Sequence, residues 1–245
     1  MYRMYFWETV DTVPEGVGFT AFGSLHLIWL LACLMFTVAF ALFYKRWSEK
    51  GRSIWRKAMA IALVVNEIYK QTFLLIGGTW LPSYIPLHLC SINIFVIAWH
   101  AFKPGHLSGN FLYTVCIPGA AAALLFPSWT SLPLANFMHI HSFTVHLCLL
   151  AYPIVLTVAG EIRPDIRTVP KCLLILVVMA VAIYFLNKPL DANFFFLAEA
   201  EEGNPLVWFE QNWGNHLFGF PVLLTAIIAA MHGPWLVARK IRKKA

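Results

Sequence analysis

Charge is what this sequence has least of. Asp, Glu, Lys and Arg make up 12% of its 245 residues, against roughly 25% in an average soluble domain. A soluble chain of this size needs a polar surface, and too few polar residues are present to build one. Membrane residence follows before any motif is read. Paired cysteines are lacking as well. Cys33, Cys90, Cys116, Cys148 and Cys172 all lie in apolar segments, none in a loop beside another, so neither a disulfide framework nor a CxxC metal site is read. No cleavable signal peptide is read either. The first apolar run follows about twenty mixed residues that include Glu8, Asp11 and Glu15, and it is too long for a signal segment, so it is expected to remain as an anchor. Basic residues interleaved with aromatics are absent, which removes nucleic acid from the expected partners despite a formal charge of +6.

What is present is a series of long apolar runs. Seven of them, at 20–44, 57–76, 85–102, 107–126, 136–158, 169–187 and 215–237, approach the ~20 residues that cross a bilayer as a helix. Lipid offers the backbone no hydrogen-bond partner, so these spans must be helical. The expected fold is an all-α membrane protein, a bundle of seven transmembrane helices at 20–237, preceded by an outside segment at 1–19 and followed by a basic tail at 238–245. Pro118, Pro153 and Pro221 fall inside spans four, five and seven and are expected to kink them, most sharply at Pro118-Gly119.

Charge alternates along the connections. Lys45, Arg46, Lys50, Arg52, Arg56 and Lys57, then Lys103, then Arg163, Arg167 and Lys171, then the tail from Arg239 to Lys244, hold all the basic residues except Arg3, Lys188 and Lys70. Acidic residues gather on the other side, at Glu8, Asp11, Glu15, Asp191, Glu199, Glu201, Glu202 and Glu210. The positive-inside rule then places the N-terminus outside and the C-terminus in the cytoplasm of a multi-pass protein of the cell membrane. The long outer loop 188–214 carries Phe194-Phe195-Phe196, Trp208, Phe209 and Trp213 among acids, and Asn204-Pro205 is a helix start within it. It reads as an interfacial helix or as a lid over a site.

Ionisable side chains inside a span are costly and face the bundle interior. Counting ~1.5 Å per residue from the basic ends puts His26, Lys70, His88, Cys90 and His146 in one slab of the outer half, with Glu67 just beneath and Asn66 and Asn93 nearby. His216 falls at the outer interface. Glu67 and Lys70 are three apart, on one helical face, and can pair. Each has a plain reading: a histidine bonded to the next helix, a small apolar cysteine, an ion pair fixing packing. Together they suggest a water-accessible site. The echo of His88-Leu89-Cys90 in His146-Leu147-Cys148 hints at a repeated two-helix unit. In such a site Cys90 is a candidate nucleophile and His146 its base. Attack on a lipid ester would give an acyl-enzyme, and Lys70 or backbone donors near Pro86 would stabilise the oxyanion.

At these residues the chain resembles a known family. Pro86-Leu87-His88-Leu89-Cys90 resembles the signature of the YwaF-type bacterial integral membrane proteins. His26, Glu67 and His146 match further, as do Pro153, Arg163-Pro164 and Asn193 with the following Phe-Phe-Phe-Leu. That family is similar to the eukaryotic transmembrane protein 164 group, for which a cysteine–histidine acyltransferase acting on ether phospholipids has been proposed. The resemblance implies Cys90 as nucleophile and His146 as base, with His139 and His141 as alternatives for the base, and membrane lipids as partners and substrate class. No cofactor and no metal are expected. Two other classes stay open: a small-solute transporter or receptor using the polar slab, and a histidine-based metal-binding protein. A retinal protein is not expected, since span seven has no lysine for a Schiff base.

Overall fold

The computed structural model describes residues 5–201 and 203–242, and among these every regular element is helical. Arg3, Glu202, Lys243 and Lys244, counted above with the end charges, lie outside the described residues. Helices α1 (Ser24–Tyr44), α2 (Glu49–Ile76), α3 (Leu89–Phe102), α4 (His106–Phe111), α5 (Ile117–Leu125), α6 (Phe137–Val158), α7 (Val169–Leu190), α8 (Leu206–Trp213) and α9 (Gly219–Arg242) follow in order. Seven candidate spans result, with α4 and α5 forming the fourth and the short α8 lying in the loop before the seventh. The protein is a multi-pass membrane protein. One end of the bundle collects the basic connections and the other the acidic ones.

Helix lengths set the depth of everything else. The 28 residues of α2 reach ~42 Å at ~1.5 Å each, more than the ~30 Å hydrocarbon core. Ser48 caps its start by accepting from the Gly51 N–H, so the helix begins eight residues before the apolar run. By contrast, the 14 residues of α3 cover only ~21 Å. The chain leaving the top of α2 must therefore descend before α3 can begin, with one 3-10 turn, Pro82–Tyr84, on the way. Gln71 guides that descent: its amide donates to the Tyr84 carbonyl at 2.6 Å, and its carbonyl accepts from the Trp80 indole at 2.9 Å. Non-helical backbone at membrane depth is stable only where protein or a polar cavity surrounds it, and here α2 supplies the partners.

The middle of the bundle is α6. Its buried set includes Phe143, Leu149, Tyr152, Val155 and Leu156, and it packs against α1, α2, α3 and α5. By contrast α9 buries little, and most of its apolar side chains face lipid. The fourth span changes pitch where a break is expected, but the break precedes the proline. Pro118 has no N–H for the Thr114 carbonyl, and the ladder widens into a π turn at Leu112–Cys116, as local insertions in α-helices do. Pro118 then sits in the first turn of α5. Pro153 lies inside α6 as expected. Pro221 does not kink span seven: it is the third residue of α9, where the missing donor is free in any helix.

Candidate functional site

Cys90 owes its position to the shortness of α3. His88 is the N-cap residue, with extended backbone, and no side chain caps the helix. The Ile92 N–H bonds the His88 carbonyl at 3.0 Å, so the N–H groups of Leu89, Cys90 and Ser91 are the free donors of a helix start. The Cys90 side chain packs inward, against the cluster that includes Ile94, Cys116 and Leu149, and is half-buried. The helix dipole directs its positive end at the same place.

The ion pair expected on α2 is present. Lys70 Nζ lies 2.7 Å from Glu67 Oε1, and both residues are buried, at 8% and 4% exposure. Gln71 Nε2 donates to the same carboxylate at 2.9 Å, which ties the pair to the descending segment. Lys70 is the hub of the site. It stands on α2, which packs against both α3 and α6, the helices of Cys90 and His146. Asn93, one turn below Cys90, is 2% exposed with its Oδ1 unpartnered, and His141 has a buried Nδ1 in the same condition.

His146 is held by two contacts. Its Nδ1 donates to the Ser142 carbonyl at 2.8 Å, since a carbonyl can only accept. The proton is thus fixed on Nδ1 and the lone pair on Nε2. Trp129 stacks on the ring at 5.2 Å and 14°. The Ser142 bond also folds the ring one turn toward the acidic end, the direction in which helical side chains tilt. Trp55 and Tyr152 stack at one level and Tyr152 bonds His100 there, so rise can be counted from a shared plane. Cys90 is ~15 Å above His100, Glu67 ~18 Å above Trp55 and His146 ~9 Å above Tyr152. The upward tilt of His146 and Cys90 and the downward tilt of Glu67 and Lys70 set the depths of their side chains. Among the described residues no hydrogen bond joins Cys90 to a histidine, although α3 and α6 are packed neighbours.

The other histidines divide. Both nitrogens of His26 are used by backbone, Nδ1 accepting from the Phe22 N–H at 2.8 Å and Nε2 donating to the Leu124 carbonyl at 2.7 Å. It ties α1 to the end of α5 and is not gathered into the cluster. His139 likewise donates to the Leu132 carbonyl at 3.1 Å, anchoring the loop that delivers Trp129. His216 donates to the Phe196 carbonyl at 3.1 Å. The His-Leu-Cys echo has no structural counterpart: His88 is an extended cap while His146 is mid-helix. Among the described residues no three His, Cys, Asp or Glu side chains converge to hold a metal ion.

A roof covers the acidic end. Phe194, fully buried, sets its ring edge-on to His88 at 4.8 Å. Asn187 at the end of α7 holds it with two bonds, donating to its carbonyl at 3.1 Å and accepting from its N–H at 2.9 Å. The helix start at Asn204-Pro205 is present, with Asn204 Oδ1 accepting from the Leu206 N–H at 3.0 Å. The resulting α8 buries Leu206 and Phe209 and exposes Trp208 and Trp213. The N-terminal segment adds a strap: Phe19 N–H bonds the Thr130 carbonyl at 2.8 Å, Asn136 Nδ2 donates to the carbonyls of Tyr5 and Glu8, and Tyr84 hydroxyl donates to Asp11.

Trp129, Ser142 and Gln71 were not singled out in the sequence. Two of them act through backbone carbonyls or stacking, for which no residue pattern exists, and a loop tryptophan reads as an interfacial anchor. The TMEM164 family model matches residues 21–232, a stretch that includes every site residue above. No curated protein and no solved structure matches the chain.

Proposed function

This chain belongs to the TMEM164 family, and on that footing we propose that it is a membrane acyltransferase acting on lipid acyl esters, with Cys90 as nucleophile and His146 as base. The observation that carries the reading is Cys90, facing inward in the first turn of the short α3, which packs against both α2 with its buried Glu67–Lys70 pair and α6 with His146. A catalytic thiol needs a proton acceptor, a group to hold the oxyanion and shelter from water. His146 Nε2, the free N–H groups of α3 with Lys70, and the Phe194 roof supply these.

The chemistry runs in two halves. The Cys90 proton passes to His146 Nε2, and the sulfur attacks the ester carbonyl carbon. The tetrahedral oxyanion is stabilised by the α3 N–H groups. The carbon–oxygen bond breaks, and the departing alkoxide takes the proton from the imidazolium, leaving a thioester on Cys90. A hydroxyl of a second lipid then gives its proton to Nε2, attacks the thioester and releases the thiol. Glu67 holds Lys70 in place, and Trp129 and Ser142 hold the imidazole.

The same proposal includes the nearer likeness to the YwaF-type bacterial proteins, and an orientation in the cell membrane with the acidic end outside, as the charge bias supports. The test is acyl exchange between labelled phospholipids in vesicles carrying the purified protein. Cys90→Ser should lose nearly all of it, since a hydroxyl is a far weaker nucleophile than a thiolate, while Cys148→Ser keeps it. Full exchange by Cys90→Ser would end the reading.

A further inference from the structure

At the basic end, on the opposite half of the bundle from Cys90, α2 and α3 leave a groove of about 220 Å³ between them, lined by Ala60, Ile61, Val64, Val65, Ala98 and Phe102. The lining is wholly apolar. Ala60 and Ala98 make a low floor, while Ile61, Val65 and Phe102 stand at 54%, 56% and 58% exposure as its walls. In a multi-pass membrane protein such walls face acyl chains. Lys57 continues the stripe on α2: 57, 60, 61, 64 and 65 share one helical face. Its ammonium lies over the Phe102 ring at 5.8 Å, and that of Lys103, at the end of α3, lies over Trp99 at 5.3 Å. Among the described residues neither lysine is paired with a carboxylate, the ion pairs at this end being those of Arg52 and Arg56 with Glu161. The groove thus ends, toward the basic end of the bundle, at two cations set on aromatic faces.

We propose that this groove binds one anionic phospholipid of the leaflet at the basic end, with an acyl chain along Ala60 and Ala98 and the phosphate between Lys57 and Lys103. Neutral lipid can fill the apolar floor equally well. The two ammonium groups are what select a net negative headgroup, as basic clefts between transmembrane helices do. Trp99, 61% exposed beside Lys103, marks the headgroup level as tryptophans at membrane interfaces do. The site is distinct from the acyl-transfer site, so its occupancy is readable whether or not Cys90 is catalytic.

The test is native mass spectrometry of the full chain, stripped of lipid in detergent and returned to phosphatidylglycerol or phosphatidylcholine. The wild type should retain phosphatidylglycerol several-fold better. Lys57→Gln with Lys103→Gln should erase that preference, while Lys45→Gln with Arg46→Gln keeps it. Ala98→Leu, which raises the groove floor and leaves the charges, should lower retention of both lipids. An unchanged preference in the Lys57/Lys103 variant, or unchanged retention in Ala98→Leu, would overturn the proposal. Should a variant fold poorly, bromine-labelled lipids give a second reading on the wild type. Brominated phosphatidylglycerol should quench tryptophan fluorescence more than brominated phosphatidylcholine at equal mole fraction, with the excess lost in Trp99→Phe. Equal quenching by the two lipids would overturn it as well.

Discussion

At the scale of single residues, the buried ion pair and the oriented histidine make separate demands. Breaking a buried pair from one side leaves a charge without a partner and costs about 3–5 kcal/mol, whereas replacing both members by apolar groups is far milder. Lys70→Met is therefore expected to destabilise the protein by several kcal/mol, and Glu67→Leu with Lys70→Met by much less. Thermal unfolding in detergent reads the cycle, and equal losses in the single and double variants would refute the coupling. The pair was legible in the sequence, because i,i+3 spacing puts two charges on one face. The Gln71 bond, at i,i+4 from Glu67, follows the same face rule; what the sequence does not show is that Gln71 also holds the Tyr84 carbonyl and the Trp80 indole. For the base, three histidines of α6 competed in the sequence. Hydrogen bonding alone does not separate them, since among the described residues His139 and His146 each bond a backbone carbonyl through Nδ1 and leave Nε2 without a partner, and His141 has an unpartnered Nδ1. His146→Gln is expected to lower acyl transfer by about 10²–10⁴ with the fold intact, the usual contribution of a general base. Acyl exchange rates beside an unchanged circular-dichroism spectrum check it, and a loss of less than ten-fold would move the base elsewhere.

At the scale of elements, the short α3 and its largely non-helical approach are what place a helix start within the membrane. The sequence showed an apolar run from 85 onward, and hydropathy cannot tell a helix from a descending loop of the same composition. Pro82 and Pro86 were the available signal, since the residue before a proline is held out of the helical region. The N-terminal strap was equally hidden, for it is fixed by backbone bonds to Thr130 and by Asn136. Gly18 is the tightest point of that strap. A Cβ there would stand 2.0 Å from the Thr130 carbonyl oxygen, which requires the backbone to move. Gly18→Ala should therefore lift the strap. Thr9, fully buried within the strap itself, supplies the reporter: a cysteine placed there should react slowly with a polar maleimide and markedly faster once Gly18 is Ala. Equal rates would show that the strap does not close over the bundle.

At the scale of the whole molecule, composition and the spacing of apolar runs were enough to read seven spans, because each must satisfy its own backbone in lipid. They were not enough to say which span is central. That α6 is enclosed and α9 peripheral is a matter of packing, and both runs are comparably apolar. The chain's direction across the membrane is carried by charge alone. Single cysteines placed in 45–57 should be labelled only from the cytoplasm and those in 188–214 only from outside; the reverse would put Cys90 in the inner half. The account as a whole turns on whether Cys90 becomes acylated. The most direct measurement is mass spectrometry of the purified protein after brief exposure to a phospholipid donor without acceptor. The peptide containing Cys90 should gain one acyl mass, removed by hydroxylamine and absent in Cys90→Ser. A Cys90 that stays unmodified while acyl exchange proceeds would contradict it.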